Sequence, residues 1–217
     1  GQRTTLYGDA TNGVGNPMGL DPVPVGYWKG DKAGLGDQWA VPNQVSQDYA
    51  FDFNGSTNYV GIGSSGDLQP ASAFTISTWV RPDVTGSWHC ILSNTSNSND
   101  GYMFLPYGSG VTIYIGNGSG WVSATSGSVL TVDTWIHAMV TWDGSDLRLY
   151  INGDLFDTTA APTISYTASQ LIIGNRTSGF WWDGRISNVA IWDSVQSAPT
   201  IYNNGTPSDL TSLSPSG

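Results

Sequence analysis

The side chains that could perform catalysis are few in this sequence. All 17 acidic residues are Asp, and there is no Glu. A pair of Asp can hydrolyse glycosidic bonds at suitable spacing, and Asp143 and Asp146 are the closest pair near predicted strand ends. Both fall in a predicted hairpin turn, where Asp is favoured because its side chain bonds to the backbone. We therefore expect a structural role for this pair.

The other candidate nucleophiles and bases are equally isolated. His89 and Cys90 are neighbours within one predicted strand, so their side chains should point to opposite faces and cannot form a dyad. Cys90 is expected to be a small core residue, and His137, inside another predicted strand, a structural histidine. The sequence has no G-x-S-x-G elbow and no phosphate-binding glycine motif. We predict that the protein is not an enzyme.

Aromatic residues near polar loops offer a different chemistry. Trp88, Tyr107, Trp121 and Trp181 lie beside segments rich in Asn, Ser and Gly. Sugar rings stack their C–H faces on such side chains, with Asp and Asn as hydroxyl partners. Protein interfaces are also enriched in Trp and Tyr, so contact with a glycan and contact with a partner protein both stay open. These four residues are the predicted binding set.

Charge and composition exclude several classes of protein. The net charge is −10 and the isoelectric point is about 4.1, which disfavours binding to nucleic acid or to an anionic membrane surface. No run approaches 18 apolar residues, so no transmembrane helix is predicted. The single cysteine excludes an intramolecular disulfide framework.

The elements that must position these side chains are strands. Lys occurs only at 29 and 32, Glu is absent, and the 28 Gly favour turns over helices. Short apolar runs bounded by turn signals predict an all-β sandwich. The predicted strands are 49–54, 58–62, 74–81, 88–93, 102–107, 111–115, 135–142, 147–151, 170–174 and 182–192. Asn152-Gly153 and Asp143-Gly144 predict hairpin turns, and only 196–204 is expected to be helical.

The two ends of the chain differ from its middle. Residues 1–24 contain three prolines and sparse apolar groups, and they predict an extended N-terminal arm. The domain is expected over 25–205, followed by a tail or linker over 206–217. An arm of this composition is ordered only when a partner holds it. We therefore expect the arm to dock onto other protein subunits and the molecule to be oligomeric.

Five segments, taken together, resemble laminin G-like modules of the concanavalin A-like jelly rolls. They are 51–60 (FDFNGSTNYV), 74–82 (FTISTWVRP), 135–153 (WIHAMVTWDG to LYING), 173–192 (IG to WDGRISNVAIW) and 201–205 (IYNNG). The resemblance implies two antiparallel sheets in a curved sandwich and a short C-terminal helix. The segments 27–31 (YWKGD) and 202–210 (YNNGTPSDL) are similar to modules in virion proteins of tailed phages.

The resemblance also bears on catalysis and metal binding. Glycoside hydrolases of this fold carry two Glu on one strand, and this chain has none. A structural calcium ion is frequent in the family, bound through an Asp of the last long strand. Asn188 occupies that position, and it lacks the charge that a hard cation prefers. No cofactor beyond a structural calcium ion is expected.

Two functions are carried forward from the sequence. The first is a non-catalytic structural, decoration or fibre module of a virion, attached to partner subunits through its arm and exposed aromatics. The alternative is a lectin-like adhesion module that binds a cell-surface or extracellular glycan. Both place the protein on a virion surface or outside the cell.

Overall fold

The computed structural model describes residues 26–28, 40–42, 49–86, 88–96, 98–167, 169–176, 179–207 and 210. The predicted arm over 1–24, and the tail apart from 206, 207 and 210, lie outside these residues. The strands within them are β1 (Gly26–Trp28), β2 (Ala40–Pro42), β3 (Tyr49–Asn54), β4 (Val60–Gly63), β5 (Phe74–Pro82), β6 (Leu92–Asn94), β7 (Tyr102–Tyr107), β8 (Gly110–Gly116), β9 (Trp121–Ser128), β10 (Ile136–Trp142), β11 (Asp146–Ile151), β12 (Asp154–Ala160), β13 (Leu171–Ile173) and β14 (Asp183–Trp192).

These strands form two antiparallel sheets, which confirms the predicted all-β jelly roll. The first sheet has the order β12-β11-β10-β5-β14-β3-β2, with β1 paired to β14. The second has the order β4-β13-β6-β7-β8-β9. Strands that are neighbours in a sheet can be far apart in sequence, as β5 and β14 are, so the fold depends on long-range pairing.

The main core lies between the sheets and is built from alternate residues of each strand. Phe74 and Ile76 of β5 share this core with Ile113 of β8, and all three are fully buried. The ring of Phe74 lies 5.7 Å from that of Trp142 and 5.8 Å from that of Tyr102, measured between centroids. Burial of these aromatic side chains stabilises the sandwich without a disulfide.

A short helix covers the outer face of the first sheet. Helix α1 (Ala198–Tyr202) begins with Pro199 in its first turn, and it buries Ile201 against Met139 and Trp192. A 3-10 turn, Asn203–Gly205, follows it, and another, Gly66–Leu68, precedes β5. The helix is shorter than the predicted 196–204 because proline is tolerated only in the first turn and Asn203 adopts a left-handed conformation at the end.

The two hairpins follow their turn residues. Asn152 and Gly153 both have positive φ, 51° and 84°, as the predicted two-residue type I′ turn requires. The connection between β10 and β11 contains three residues, 143–145, because the Asp143 carboxylate accepts hydrogen bonds from the backbone N–H groups of Ser145 and Asp146. This second turn therefore differs from the two-residue form expected from the sequence.

Other predictions were wrong or incomplete, and four strands, β1, β2, β9 and β12, were missing from the predicted set. Strand β9 was not predicted because its exposed side is made of Trp, Ser, Thr and Gly rather than alternating apolar residues. The predicted strand over 88–93 is mostly loop, and β6 begins only at Leu92. Trp135, the first residue of the predicted strand over 135–142, is half-buried just before β10 and belongs to neither apolar cluster.

One end of the sandwich, here called the site end, gathers segments that are distant in sequence. Ile173, the last residue of β13, pairs with Leu92 at the start of β6 and with Val60 at the start of β4. Leu92 in turn pairs with Phe104 of β7, which runs toward Tyr107. The loops that precede β4 and β6 and those that follow β7 and β13 therefore meet at this end.

Candidate functional site

The structure brings together two of the four predicted binding residues. Trp88, in the loop before β6, and Tyr107, at the end of β7, have ring centroids 5.0 Å apart in an edge-to-face arrangement. Both side chains are exposed, by 46% and 60%. Trp181 lies at the same end, while Trp121 lies at the opposite end of the sandwich, where β9 begins beside Gly116.

A third ring, which the sequence analysis missed, completes this surface. The centroid of Phe180 lies 6.0 Å from that of Trp88, again edge-to-face. We call Trp88, Tyr107 and Phe180 the aromatic patch. The predicted binding set included Trp181 but not Phe180 before it, although three consecutive aromatic residues at 180–182 cannot all enter one core.

The backbone around the aromatic patch is fixed by hydrogen bonds rather than by regular strands. The N–H of Gly86 donates to the carbonyl of Gly108 at 3.1 Å, and that of Ile91 donates to Phe104 at 2.9 Å. These bonds hold the loop that carries Trp88 against the end of β7. The rings therefore project from a framework that is tied at both sides.

Phe180 adopts a backbone conformation that is rare for a bulky residue. Its φ is +70°, in the left-handed region, and Gly179 before it has a φ of +102°. Non-glycine residues in this region cost about 1 kcal/mol or more, and such outliers cluster at ligand sites. This backbone conformation places the Phe180 ring between Trp88 and Arg176. The guanidinium carbon of Arg176 lies 4.9 Å from the centroid of the Phe180 ring.

Trp181 joins a second aromatic pair beside the aromatic patch. Its ring centroid is 5.8 Å from that of Tyr59, which is 48% exposed, whereas Trp181 itself is half-buried. The Nδ1–H of His89 donates to the Trp181 carbonyl at 2.6 Å. Because His89 follows Trp88 and Trp181 follows Phe180, this bond ties the two aromatic loops together. Trp182 is 1% exposed and lies in the core.

Trp121 is separate from this site. It packs edge-to-face against Tyr114 on the neighbouring strand, with a centroid separation of 6.3 Å, and it is half-buried. Its proposed role in binding therefore stays a prediction without support from the other aromatic residues.

The two aspartates that could have formed a hydrolytic pair are engaged with one arginine. Arg148 donates to the carboxylate of Asp143 at 2.5 Å and to that of Asp146 at 2.7 Å. The hydrogen bond from Arg148 and those from the turn backbone lower the pKa of Asp143 to about 2. A carboxyl that stays ionised at neutral pH cannot donate the proton that a leaving sugar needs.

The remaining titratable candidates are buried. Burial raises the pKa of the Cys90 thiol to about 12 and lowers that of His137 to about 3. Cys90 precedes β6 rather than lying within a strand, and His137 Nε2 is 2.8 Å from the Ser77 hydroxyl. A neutral thiol and a neutral, buried imidazole match structural residues of a domain interior.

The residues that could hold a metal ion form no recognisable ligand set. The described residues contain no group of three or more His, Cys, Asp or Glu side chains suited to a metal. Asn188 is buried, with a φ of +49°, and its amide oxygen accepts a hydrogen bond from the Ser187 hydroxyl at 3.3 Å. Calcium prefers six to eight oxygen ligands. The structural calcium ion therefore stays a prediction that rests on resemblance.

Asp100 shows how a loop carboxylate can be satisfied without a metal. It is 2% exposed and accepts hydrogen bonds from Thr95, Ser96 and Ser98, and from the hydroxyl of Thr167. Burial alone would raise the pKa of Asp100, but the bonds from Thr167 and Ser96 outweigh it and lower the pKa to about 2. This carboxylate ties two loops together at the end opposite the aromatic patch.

The described residues contain no helix long and apolar enough to cross a membrane.

Comparison with known proteins gives the fold and the family. No curated protein matches the chain. Among solved structures, domain 4 of AbnA, an extracellular arabinanase from Geobacillus stearothermophilus in complex with arabinotriose, is similar with a TM-score of 0.65. It shares 13% identity over 82% of this chain and 86% of that chain.

Two further structures have the same fold. The Ruminococcus gnavus IT-sialidase CBM40 bound to α2,3 sialyllactose has a TM-score of 0.62 and 13% identity over 83% of this chain and 98% of that chain. The binding domain of Paraclostridial Mosquitocidal Protein 1 has a TM-score of 0.61 and 17% identity. The match covers 76% of our protein but only 44% of the mosquitocidal protein's chain. These neighbours are binding domains. Residues 54–202 match the family model Laminin_G_3, described as the concanavalin A-like lectin/glucanases superfamily, and the chain belongs to this family.

Proposed function

We propose that this domain is a carbohydrate-binding module that holds a glycan on the aromatic patch. The observation that carries the proposal is the exposure of Trp88 and Tyr107, 46% and 60%, in edge-to-face contact at one end of the sandwich. Exposed aromatic surface of this kind marks a binding site more often than chance packing does. An extracellular location follows from this proposal.

The chemistry of the aromatic patch suits a sugar. The C–H faces of a pyranose or furanose ring pack on aromatic faces, and the tilted rings present faces at different angles to one ligand. A polar group for the hydroxyls lies in the adjoining loop before β4, which carries the half-buried Asn58. Because the loops are held by backbone bonds, binding requires little ordering of the protein.

Structural neighbours support the carbohydrate class over the other predicted function. The arabinanase domain and the CBM40 module are each described in complex with an oligosaccharide. The role as a virion decoration or fibre module rests on an arm that lies outside the described residues, and no comparison bears on it. Attachment to partner subunits and an oligomeric state therefore stay predictions.

The test is binding of soluble oligosaccharides, neutral and acidic, by isothermal titration calorimetry. Trp88→Ala and Tyr107→Ala should each weaken binding about tenfold or more, because truncation of a central hot-spot residue costs about 2 kcal/mol or more. Both variants should stay within about 1 kcal/mol of the parent in stability, since the two side chains are exposed.

Phe156→Ala is the matched control. Phe156 is an aromatic side chain of similar exposure, 47%, on strand β12, away from the aromatic patch. This variant should bind as the parent does. Equal loss in Phe156→Ala, or full affinity in Trp88→Ala and Tyr107→Ala, would remove the patch from the binding site. If the protein binds no sugar, and Trp88→Ala instead abolishes binding to a partner subunit, the attachment function is favoured.

A further inference from the structure

We propose that the glycan bound at the aromatic patch carries a carboxylate, as a sialic or uronic acid does, and that Arg176 binds it. This inference rests on the proposed function, and it adds the chemical class of the ligand. It is drawn from the surroundings of one arginine at the edge of the aromatic patch.

Arg176 has no acidic partner among the described residues, unlike the other arginines there. Arg81 pairs with Asp83 and Asp133, and Arg148 with Asp143 and Asp146. Arg185 lies 3.9 Å from Asp52. No ion pair or side-chain hydrogen bond of Arg176 to any other described residue exists in the structure. Although the net charge is −10, Arg176 is thus the one cationic side chain among the described residues that has no acidic partner there, and it lies beside the exposed rings.

The guanidinium of Arg176 is held in place for a ligand. It lies over the half-buried Phe180, 4.9 Å from the ring centroid, and an aromatic face orients an arginine in this way through cation–π attraction. Its Nε is buried and has no hydrogen-bond partner among the described residues. Arg176 as a whole is half-buried, so part of the residue reaches solvent beside Phe180.

The left-handed backbone at Phe180 supports the same conclusion. Gly179 and Arg176 form a two-residue bridge, with the Gly179 N–H donating to the Arg176 carbonyl at 3.2 Å. This bridge fixes the distance between the arginine and the ring of Phe180, four residues after Arg176. The strained residue thus serves to place a cation and an aromatic face side by side, which is the pair of groups that an acidic sugar needs.

A single carboxylate fits this site better than a polyanion does. The planar guanidinium offers two parallel N–H donors, which match the two oxygens of a carboxylate. Sulfated or phosphorylated polymers are bound by clusters of Lys and Arg, and the excess of Asp over basic residues repels them. The ligand class is therefore a glycan with a carboxylate on the residue that contacts the aromatic patch.

The experiment compares matched sugars by isothermal titration calorimetry. The pairs are 3′-sialyllactose with lactose, and oligogalacturonate with neutral galacto-oligosaccharides, and heparin serves as the sulfated polymer. We expect the acidic member of at least one pair to bind about tenfold or more tightly than its neutral partner. Arg176→Gln should remove this difference, and Arg176→Lys, which keeps the charge but lacks the fork, should retain only part of it.

Arg148→Gln is the control, since it removes an arginine that is already paired with two aspartates far from the aromatic patch. It should keep the preference for the acidic sugar. Thermal melting of each variant checks that it is folded. If Arg176→Gln does not fold, the comparison of acidic and neutral sugars is made with Arg176→Lys.

The outcomes separate the two proposals. Equal affinity for the acidic and neutral members, an acidic preference that persists in Arg176→Gln, or a preference for heparin would overturn the carboxylate inference while the aromatic patch remains a sugar site. Binding of no sugar in either pair, with Trp88→Ala also without effect in a wider neutral panel, would overturn both.

Discussion

The left-handed conformation of Phe180 can be tested by a pair of substitutions. Phe180→Ala and Phe180→Gly both remove the ring, and with it the contacts to Trp88 and Arg176. They differ in backbone strain, because the φ of +70° is unfavourable for Ala and free for Gly. Measured against each other, the two variants isolate the strain from the loss of side-chain contacts.

The expected difference follows from two opposing terms. Release of the left-handed strain favours Phe180→Gly by about 1–2 kcal/mol. The greater freedom of Gly in the unfolded chain opposes this by about 0.4–1 kcal/mol. Phe180→Gly should therefore be more stable than Phe180→Ala by about 0.5–1 kcal/mol. For a domain of this size that difference corresponds to about 1–4 °C in melting temperature.

Differential scanning calorimetry and urea denaturation measure this difference directly. The matched control is the same pair of substitutions at Phe156, on strand β12, whose φ is not positive. There the order should be reversed, with Gly less stable than Ala, because Gly weakens a strand. If Phe180→Ala is as stable as Phe180→Gly, the backbone at this position is not strained, and the proposed role of that strain in positioning the ring is refuted. Both Phe180 variants should also bind sugar more weakly than the parent.

Two further predictions concern the free energy of unfolding at acidic pH. Protonation of His137 is opposed by burial, so the stability that the neutral ring contributes is present above pH 6.5 and is lost as the pH falls toward 3; at pH 5 the loss should be about 2 kcal/mol. In His137→Gln this slope should vanish, and a slope that persists would refute the assignment. The ionised Asp100 contributes about 2 kcal/mol that is present above pH 3.8 and is lost toward pH 2. Asp100→Asn should therefore be less stable at pH 7 by about that amount, and equal stability in urea denaturation would contradict it.

The sequence was sufficient to predict the sheets but not their edges. Strands β5 and β10 carry alternating or continuous apolar residues with clear turn signals, and both were placed within one residue of their observed ends. Strand β9 was missed because it lies at a sheet edge, where small polar residues face solvent and no apolar period develops. The alternation of apolar and polar residues reflects which side chains are buried, and an edge strand is only partly buried.

The binding surface was predictable in type but not in arrangement. Exposure of Trp88 and Tyr107 could be inferred from the polar loops around them, but their contact arises from the pairing of β6 with β7. The role of Phe180 depends on a positive φ that a bulky residue rarely adopts, so no propensity indicates it. That Arg176 has no acidic partner among the residues the structure describes is a property of tertiary structure alone.

The buried thiol of Cys90 gives this protein a built-in reporter. A thiol that is fully buried, with a pKa near 12, reacts with a labelling reagent only when its surroundings open. Cys90 follows Trp88 by two residues, so its opening exposes the same loop that carries the aromatic patch. A ligand that binds the closed form slows labelling by the factor 1 + [L]/Kd. The rate of modification at this single site therefore measures affinity for any sugar in solution, with no label on the sugar and no added chromophore.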